Sequence, residues 1–184
     1  MKKLLFSLCF FVILMSAQAQ DQPLPATQAV YVELGGAGLS YSFNYDFRFD
    51  KTKIDSWGMR VGASGYSLEG TSLFTFPIQV TRLFGRDGRY FEIGGGLTVM
   101  AFDNYYYSYD CTGAGPCVET KVRTDDYNFI LDVNGSPNVM GTLNFGYRKI
   151  PTDGGFMWRV NLNPIFNSNG FWPIFAGLGF GYAF

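Results

Sequence analysis

The fold of this 184-residue chain is decided by its last fourteen residues, FWPIFAGLGFGYAF at positions 171–184. From Trp172 to Phe184 every second side chain is large and apolar, apart from Ala176, and positions 177, 179, 181 and 183 hold only glycine or alanine. Successive side chains of a strand point to opposite faces. The pattern therefore predicts one apolar face and one nearly bare face, which carries almost no side-chain atoms. A bare face is needed where a curved sheet closes around a narrow interior. The stretch therefore predicts a strand of a β-barrel.

The amino-terminal segment predicts a secretory signal peptide over residues 1–19. A basic start at Lys2 and Lys3 precedes an apolar run, and the small-residue pattern Ala17-Gln18-Ala19 follows it. The run is too short to span a membrane. A lipoprotein signal with a lipidated Cys9 is disfavoured, because Cys9 lies inside the apolar run instead of at its end.

The composition of the mature chain excludes several function classes. Without Lys2 and Lys3, 12 basic residues face 15 acidic ones, which leaves no basic excess for nucleic acid. No mature segment approaches the ~18 to 20 consecutive apolar residues of a membrane helix. A membrane location would therefore require a closed barrel, because lipid offers no partner for open backbone groups.

The same alternation of apolar and polar residues runs along most of the chain. It is cleanest over 39–49, where apolar odd positions face polar even ones. The other alternating runs cover residues 30–34, 57–67, 74–84, 91–101, 139–148, 156–166 and 172–184.

The segment Gly35–Gly38 determines the number of strands. A turn there gives eight strands, whereas a bulge in one long strand gives seven. A barrel with both ends in the periplasm needs an even number, which favours the turn, although a bulge stays open. With eight strands, Arg86-Asp87-Gly88 and Pro151–Gly154 are short periplasmic turns. Residues 103–136, where the alternation breaks down, become one long extracellular loop of a barrel domain at 20–184.

With its terminal Phe184, the chain resembles the small eight-stranded outer-membrane barrels of the OmpA and OmpX type. It is also similar to a Gram-negative outer-membrane β-barrel family of unassigned activity, through Val32–Gly36 and Asn44–Asp46. The resemblance implies an all-β, eight-stranded antiparallel up-and-down transmembrane barrel, monomeric in the outer membrane of a Gram-negative bacterium. It implies contact with lipid and lipopolysaccharide, and recognition of Phe184 by the barrel-assembly machinery.

Seven charged side chains fall on the lumen side of the predicted strands. An eight-stranded barrel leaves an interior just wide enough for side chains to fill, so these charges must pair. We favour a structural salt-bridge network over a ligand site or a narrow polar path. The seven residues are Glu33, Asp46, Arg48, Arg60, Glu92, Arg148 and Arg159.

The sequence offers no recognisable catalytic or cofactor constellation. Histidine is absent, and membrane-barrel catalysis commonly relies on a His-assisted nucleophile or base. The glycines at 94–96 and at 177, 179 and 181 follow strand period and open no helix, so they are not phosphate loops. We therefore expect no catalytic residue, cofactor or metal, and a non-enzymatic protein. A lipid-acting enzyme is the least favoured hypothesis.

The loop at 103–136 carries the features most typical of a recognition surface. Cys111 and Cys117 predict a disulfide in an exported protein, since a metal pair would need further Cys or His ligands. Six acidic residues oppose only Lys121 and Arg123, a local net charge of −4. The loop's aromatic residues either contact a partner or form the outer aromatic girdle of the barrel. They are Tyr105, Tyr106, Tyr107, Tyr109, Tyr127 and Phe129.

These features favour a surface protein whose outer loop contacts an unknown partner. The alternative hypothesis is a narrow transport barrel or a small-ligand-binding barrel.

Overall fold

A computed structural model describes residues 25–68, 70–111, 117–128 and 130–184 of the chain. The predicted signal peptide at 1–19 and Phe129 lie outside the described residues. In the described part there is no helix with the length and apolarity needed to cross a bilayer.

The described residues form thirteen strands, eight of which close into an antiparallel barrel. The strands are β1 (Gln28–Gly35), β2 (Tyr41–Arg48), β3 (Trp57–Leu68), β4 (Thr71–Arg86), β5 (Arg89–Asp110), β6 (Val118–Thr124), β7 (Asp126–Asn128), β8 (Asp132–Asn134), β9 (Asn138–Lys149), β10 (Gly155–Leu162), β11 (Ile165–Asn167), β12 (Gly170–Trp172) and β13 (Ala176–Ala183). The barrel order is β1-β2-β3-β4-β5-β9-β10-β13, and β13 pairs with β1 to close the ring. The predicted fold class and strand number are confirmed.

The terminal strand closes the barrel as its alternation predicts. Phe180 and Tyr182 are exposed on the outer wall, while Gly179 and Gly181 face inward between β10 and β1. A Cβ at Gly181 would lie 2.1 Å from the carbonyl oxygen of Val30, so no larger residue fits there. Pro173, which has no N–H to pair, directly follows the end of β12, and the terminal strand begins at Ala176.

The segment Gly35–Gly38 is a turn and not a bulge, and it enters the barrel. Gly36–Gly38 form one turn of 3₁₀ helix between β1 and β2, entered through Gly35 at φ +71°. Gly36, Ala37 and Gly38 are buried, and Leu39 beyond them is 1% exposed. The turn therefore occupies the lumen as an internal plug.

The segment 103–136 is far more regular than the broken alternation indicates. Strand β5 continues to Asp110 and pairs with β6 from Asn104 onward, which forms a hairpin beyond the barrel wall. The short strands β7 and β8 then form a second hairpin, which we call the lid, over the same end of the barrel. We call this end the upper end. The opposite, lower end holds the Asp87–Gly88 turn and Phe184.

Candidate functional site

Two candidate sites follow from the sequence. They are the lumen charges and the predicted loop at 103–136, which the structure folds into two hairpins. The barrel brings all seven lumen charges together in its interior, and each is at most 3% exposed. They come from six of the eight barrel strands. Alternation places each side chain inward, and strand pairing sets which of them meet.

The seven charges form one continuous chain of alternating sign. Arg148 Nη2 lies 3.0 Å from Asp46 Oδ2 and 2.7 Å from Glu92 Oε2. Arg159 Nη2 lies 3.2 Å from Glu92 Oε1, and Arg159 Nε lies 3.7 Å from Glu33 Oε1.

Arg48 pairs with Asp46 at one end of this chain, and Arg60 pairs with Glu33 at 3.1 Å at the other. Each of the three carboxylates is therefore held between two guanidinium groups. A carboxylate held in this way is a poor general base, because its lone pairs are already engaged.

Sequence reasoning missed one member of this network. The Tyr31 hydroxyl accepts hydrogen bonds from Arg60 Nη1 at 3.2 Å and from Arg159 Nη1. Its ring also lies beneath the Arg159 guanidinium, 5.3 Å from the ring centre. Tyr31 shares the inward face of β1 with Glu33, so the alternation could have placed it. A search restricted to charged residues passed over it.

The internal plug closes the lumen above the charge network. Thr75 Oγ1 donates to the Gly38 carbonyl at 3.0 Å, and Thr98 Oγ1 donates to the Ala37 carbonyl at 2.7 Å. These bonds satisfy carbonyl groups that would otherwise be buried without partners. The plug is therefore a fixed part of the interior.

Apolar clusters cover both ends of the lumen. The upper cluster packs Leu39 of the plug against Met100, Phe102 and two lid residues, Tyr127 and Val133. The lower cluster contains, among others, Ala26, Ile54, Leu83, Tyr90, Ile150 and Met157.

Polar space at the lower end of the lumen is minimal. The cavity beside Asp46, Arg48 and Arg148 has a volume of about 10 Å³, enough for one water molecule. Among the described residues, the polar interior thus lies between two apolar seals.

The hairpin of β5 and β6 stands beyond this sealed end and carries four of the predicted tyrosines. Tyr106, Tyr107 and Tyr109 are 53%, 45% and 64% exposed, and Tyr105 is half-buried. Lys121 Nζ lies 3.6 Å from the centre of the Tyr105 ring.

The tip of this hairpin is closed by the predicted disulfide. Cys111 and Cys117 are bonded, with their Cα atoms 4.3 Å apart. This pairing is confirmed. The bond fixes the ends of the strands that present the tyrosines.

Tyr127 does not belong to this surface, which corrects the prediction. It is 5% exposed, packs against Phe102 in the upper cluster and shares a hydrogen bond with the Tyr66 hydroxyl. Burial, together with this hydrogen bond, raises the pKa of the Tyr127 phenol. Its position within the loop suggested a surface residue, but the lid folds it inward.

The outer surface of the lid forms a second polar site that sequence reasoning missed. A cleft of about 420 Å³ is lined by Asp126, Asn128, Asp132, Asn134 and Asn169. Asn169 Nδ2 donates to Asn134 Oδ1 and Asn134 Nδ2 donates to Asp126 Oδ1, both at 2.6 Å.

The cleft does not resemble a dedicated metal centre. No group of three or more His, Cys, Asp or Glu side chains able to hold a metal occurs within the described ranges. Its amide and carboxylate groups are instead suited to hydrogen-bonding a hydroxyl-rich ligand.

The fold and its interior define a small, plugged eight-stranded β-barrel. No family model matches the chain, and no curated protein is similar to it in sequence. Among solved structures it is similar to the N-terminal β-barrel domain of Pseudomonas aeruginosa OprF, with a TM-score of 0.46 and 14% sequence identity. That similarity covers 85% of this chain and 95% of the OprF domain.

Proposed function

We propose that the protein is a non-enzymatic integral outer-membrane barrel that presents the β5–β6 hairpin to a partner outside the cell. The observation that carries this proposal is the contrast between the two ends of β5. Its lower half belongs to a wall around a sealed interior, while its upper end projects beyond the wall with exposed tyrosines.

The outer wall supports the membrane location. On β5 the outward positions from Phe91 to Ala101 are apolar or glycine, and charged residues, Arg89 and Asp103, flank this run on the same face. Ten residues span ~33 Å along a strand, or ~25 Å along the axis of a barrel with ~40° tilt. That height matches the apolar band of outer-membrane barrels, which is also ~25 Å.

The sealed lumen argues against the transport hypothesis. A solute would have to pass the lower cluster, the salt-bridge chain, the plug and the upper cluster. Moving the plug would break the hydrogen bonds that Thr75 and Thr98 donate to the Gly38 and Ala37 carbonyls. Separating the ion pairs would leave buried charges without partners.

The hairpin is suited to recognition in two ways. Tyrosine gives a large contact area at low entropic cost. Three exposed tyrosines are concentrated on this hairpin, above the apolar band of the wall. In the described part of the chain β6 pairs only with β5, so the edge from Val118 to Thr124 is open. An open edge can accept a strand of a protein partner.

A hairpin replacement tests this function. Asn104 and Thr124 are cross-strand partners, so a short Gly-Ser connector in place of residues 105–123 can close a hairpin there and leave the lid intact. Phe171→Ser is the matched control, since it removes an aromatic side chain that is 59% exposed on β12. The proteins are placed in lipid nanodiscs and applied to arrays of glycans and extracellular-matrix proteins.

We expect the replacement to abolish array binding and Phe171→Ser to leave it unchanged. Both variants should remain folded and heat-modifiable in gel mobility, because the parts of the strands that form the barrel wall are unaltered. Unchanged binding by the replacement variant would place recognition elsewhere. Failure to assemble would show that the tyrosines are part of the barrel wall.

The polar cleft on the lid favours a second candidate function, the binding of a small hydroxyl-rich ligand. Its five side chains supply both donors and acceptors around an open space. Calorimetric titration with a panel of monosaccharides tests it, with Asp132→Ala and Asn169→Ala as variants. Heats of binding that persist unchanged in both variants would exclude the cleft.

A further inference from the structure

The lower end of the barrel carries a row of outward-facing cations on neighbouring strands. Arg86 of β4 lies directly opposite Arg89 of β5, and Arg89 lies directly opposite Lys149 of β9. All three side chains are exposed. Like charges directly opposite one another on a sheet are destabilising, so a bound anion would stabilise this row by relieving the repulsion.

The protein itself supplies little counter-charge to this row. Arg86 Nε lies 3.9 Å from Asp87 Oδ2, and both side chains are about 90% exposed, so water screens this pair. Among the described residues, neither Arg89 nor Lys149 has an ion-pair partner within 4.0 Å. The row therefore keeps a net positive charge.

A fourth cation, Arg82, lies on the outer wall of β4 two outward positions above Arg86, with Phe84 between them. Its guanidinium is 5.8 Å from the centre of the Trp57 ring and 5.2 Å from that of Phe84. Arg82 Nε is buried and has no hydrogen-bond partner among the described residues. Aromatic contacts of this kind hold the long side chain against the wall, where its charged end can reach toward the polar interface.

Three of the four cations, Arg86, Arg89 and Lys149, lie where the apolar wall ends. Phe84 and Phe91 are directly opposite each other one position above Arg86 and Arg89 on the same face. Tyr147 stands in the same relation to Lys149. Aromatic residues mark the interface of membrane barrels, so the cations just below them are at the level of lipid headgroups.

The charge is confined to one side of the barrel. On β13, β1, β2 and the residue after β2, the outward positions at the lower end are uncharged. They are Tyr182, Gln28, Tyr45, Phe47 and Phe49. The β2–β3 connection contains Lys51 and Lys53 but also Asp50 and Asp55, so its net charge is zero. A uniform requirement for solubility would not concentrate cations on β4, β5 and β9.

We propose that Arg82, Arg86, Arg89 and Lys149 form a binding site for anionic phospholipid headgroups in the leaflet at the lower end of the barrel. The ligand chemistry is a phosphate diester with net negative charge. Guanidinium and ammonium groups recognise its oxygens, and its acyl chains lie along the apolar wall beside Phe84 and Phe91. The site rests on the membrane location proposed above.

Tryptophan fluorescence reports on this site directly. Trp57 is the cross-strand partner of Arg82, and Trp158 is the cross-strand partner of Lys149. Trp172, the third tryptophan of the chain, lies on β12 at the upper end and is removed by Trp172→Phe. The protein is inserted into phosphatidylcholine vesicles in which one fifth of the lipid is brominated near its carboxyl end. The brominated lipid is either phosphatidylglycerol or phosphatidylcholine.

We expect brominated phosphatidylglycerol to associate with the two tryptophans about threefold more strongly than brominated phosphatidylcholine, and this preference should fall as salt is raised. Combined Arg86→Gln, Arg89→Gln and Lys149→Gln substitutions should bring the ratio to about one. The matched control is Lys121→Gln with Arg123→Gln on the upper hairpin, which should leave the ratio unchanged.

Equal quenching by the two lipids in the unsubstituted protein, at low salt and after insertion, would overturn the site while leaving the membrane location intact. A preference that survives the triple substitution or high salt would also overturn it. Failure to float with the vesicles in a density gradient would refute the membrane location and the site together.

Discussion

Replacing Glu92 with glutamine should destabilise the barrel strongly, although the side chain keeps its size. Glu92 is fully buried, and its two oxygens bridge Arg148 at 2.7 Å and Arg159 at 3.2 Å. The substitution removes the central negative charge of the alternating chain. Four buried arginines would then face only two carboxylates.

The expected loss in the free energy of unfolding arises because Arg148 and Arg159 would both lose a charged partner. Removing one partner of a buried ion pair costs about 3–5 kcal/mol, because it leaves an uncompensated buried charge. We expect a value near the upper end of this range, since Glu92 serves two guanidinium groups at once. Glu119→Gln is the matched control. Glu119 is exposed on the hairpin and accepts one hydrogen bond from Tyr109, so its loss should cost less than about 1 kcal/mol.

Equilibrium unfolding in urea, with the barrel in vesicles, measures both changes in the free energy of unfolding. A double-mutant cycle with Arg148→Met separates pairing from packing. The double variant should be more stable than the sum of the single losses predicts by at least about 1 kcal/mol, because the two residues interact directly. A loss below about 1 kcal/mol for Glu92→Gln, or strict additivity in the cycle, would show that water or rearrangement compensates the lumen charges and refute this account.

Four further predictions follow from the sealed interior, the lid, the disulfide and the leader. Planar-bilayer recordings of the monomer should show no stable large-conductance steps, and such steps would contradict a fixed plug. The lid should loosen above about pH 10: burial raises the pKa of Tyr127 above the usual 10.0, so the folded state keeps a proton that the unfolded chain loses, and stability falls as pH rises through this range. Protease cleavage within the lid should therefore increase in alkali for the parent protein and much less for Tyr127→Phe. Alkylation without reductant should label neither Cys111 nor Cys117, and labelling of both would contradict the disulfide. The intact mass of the exported protein should correspond to cleavage after Ala19, and an uncleaved or lipid-modified mass would contradict the predicted signal.

The barrel wall could be predicted from sequence because an apolar outer face and a packed lumen impose a strict two-residue period. Between Phe91 and Ala101 this period is enforced on both faces, and the predicted strand matches the structure there. Above Asp103 the strand leaves the barrel wall and pairs with β6, so the pattern stops while the strand continues to Asp110. Tyrosine, threonine and valine favour extended structure in β5 and β6 without alternating apolar and polar positions.

The membership of the lumen network could be predicted, but its pairing could not. The alternation of inward and outward positions along each strand places Asp46 and Arg148 inside the barrel. This alternation can be recognised from the neighbouring sequence alone. Their contact spans 102 positions in sequence and depends on the stagger of the closed sheet. The plug escaped prediction for a related reason. The glycine-rich segment 35–38 indicates a turn, but its inward course depends on how β1 and β2 are placed in the closed barrel.

The internal chemistry of this barrel favours the proposed recognition function on its outer surface. Each lumen carboxylate lies between two arginines, and the plug carbonyls accept hydrogen bonds from Thr75 and Thr98. A ligand entering the lumen would have to break interactions at least as strong as those it could form. The outer hairpin is under no such constraint, since its tyrosines and its open β6 edge face water and can contact a partner without separating the lumen ion pairs. A partner that contacts this barrel from outside therefore gains most at the hairpin, which the disulfide holds in a fixed shape.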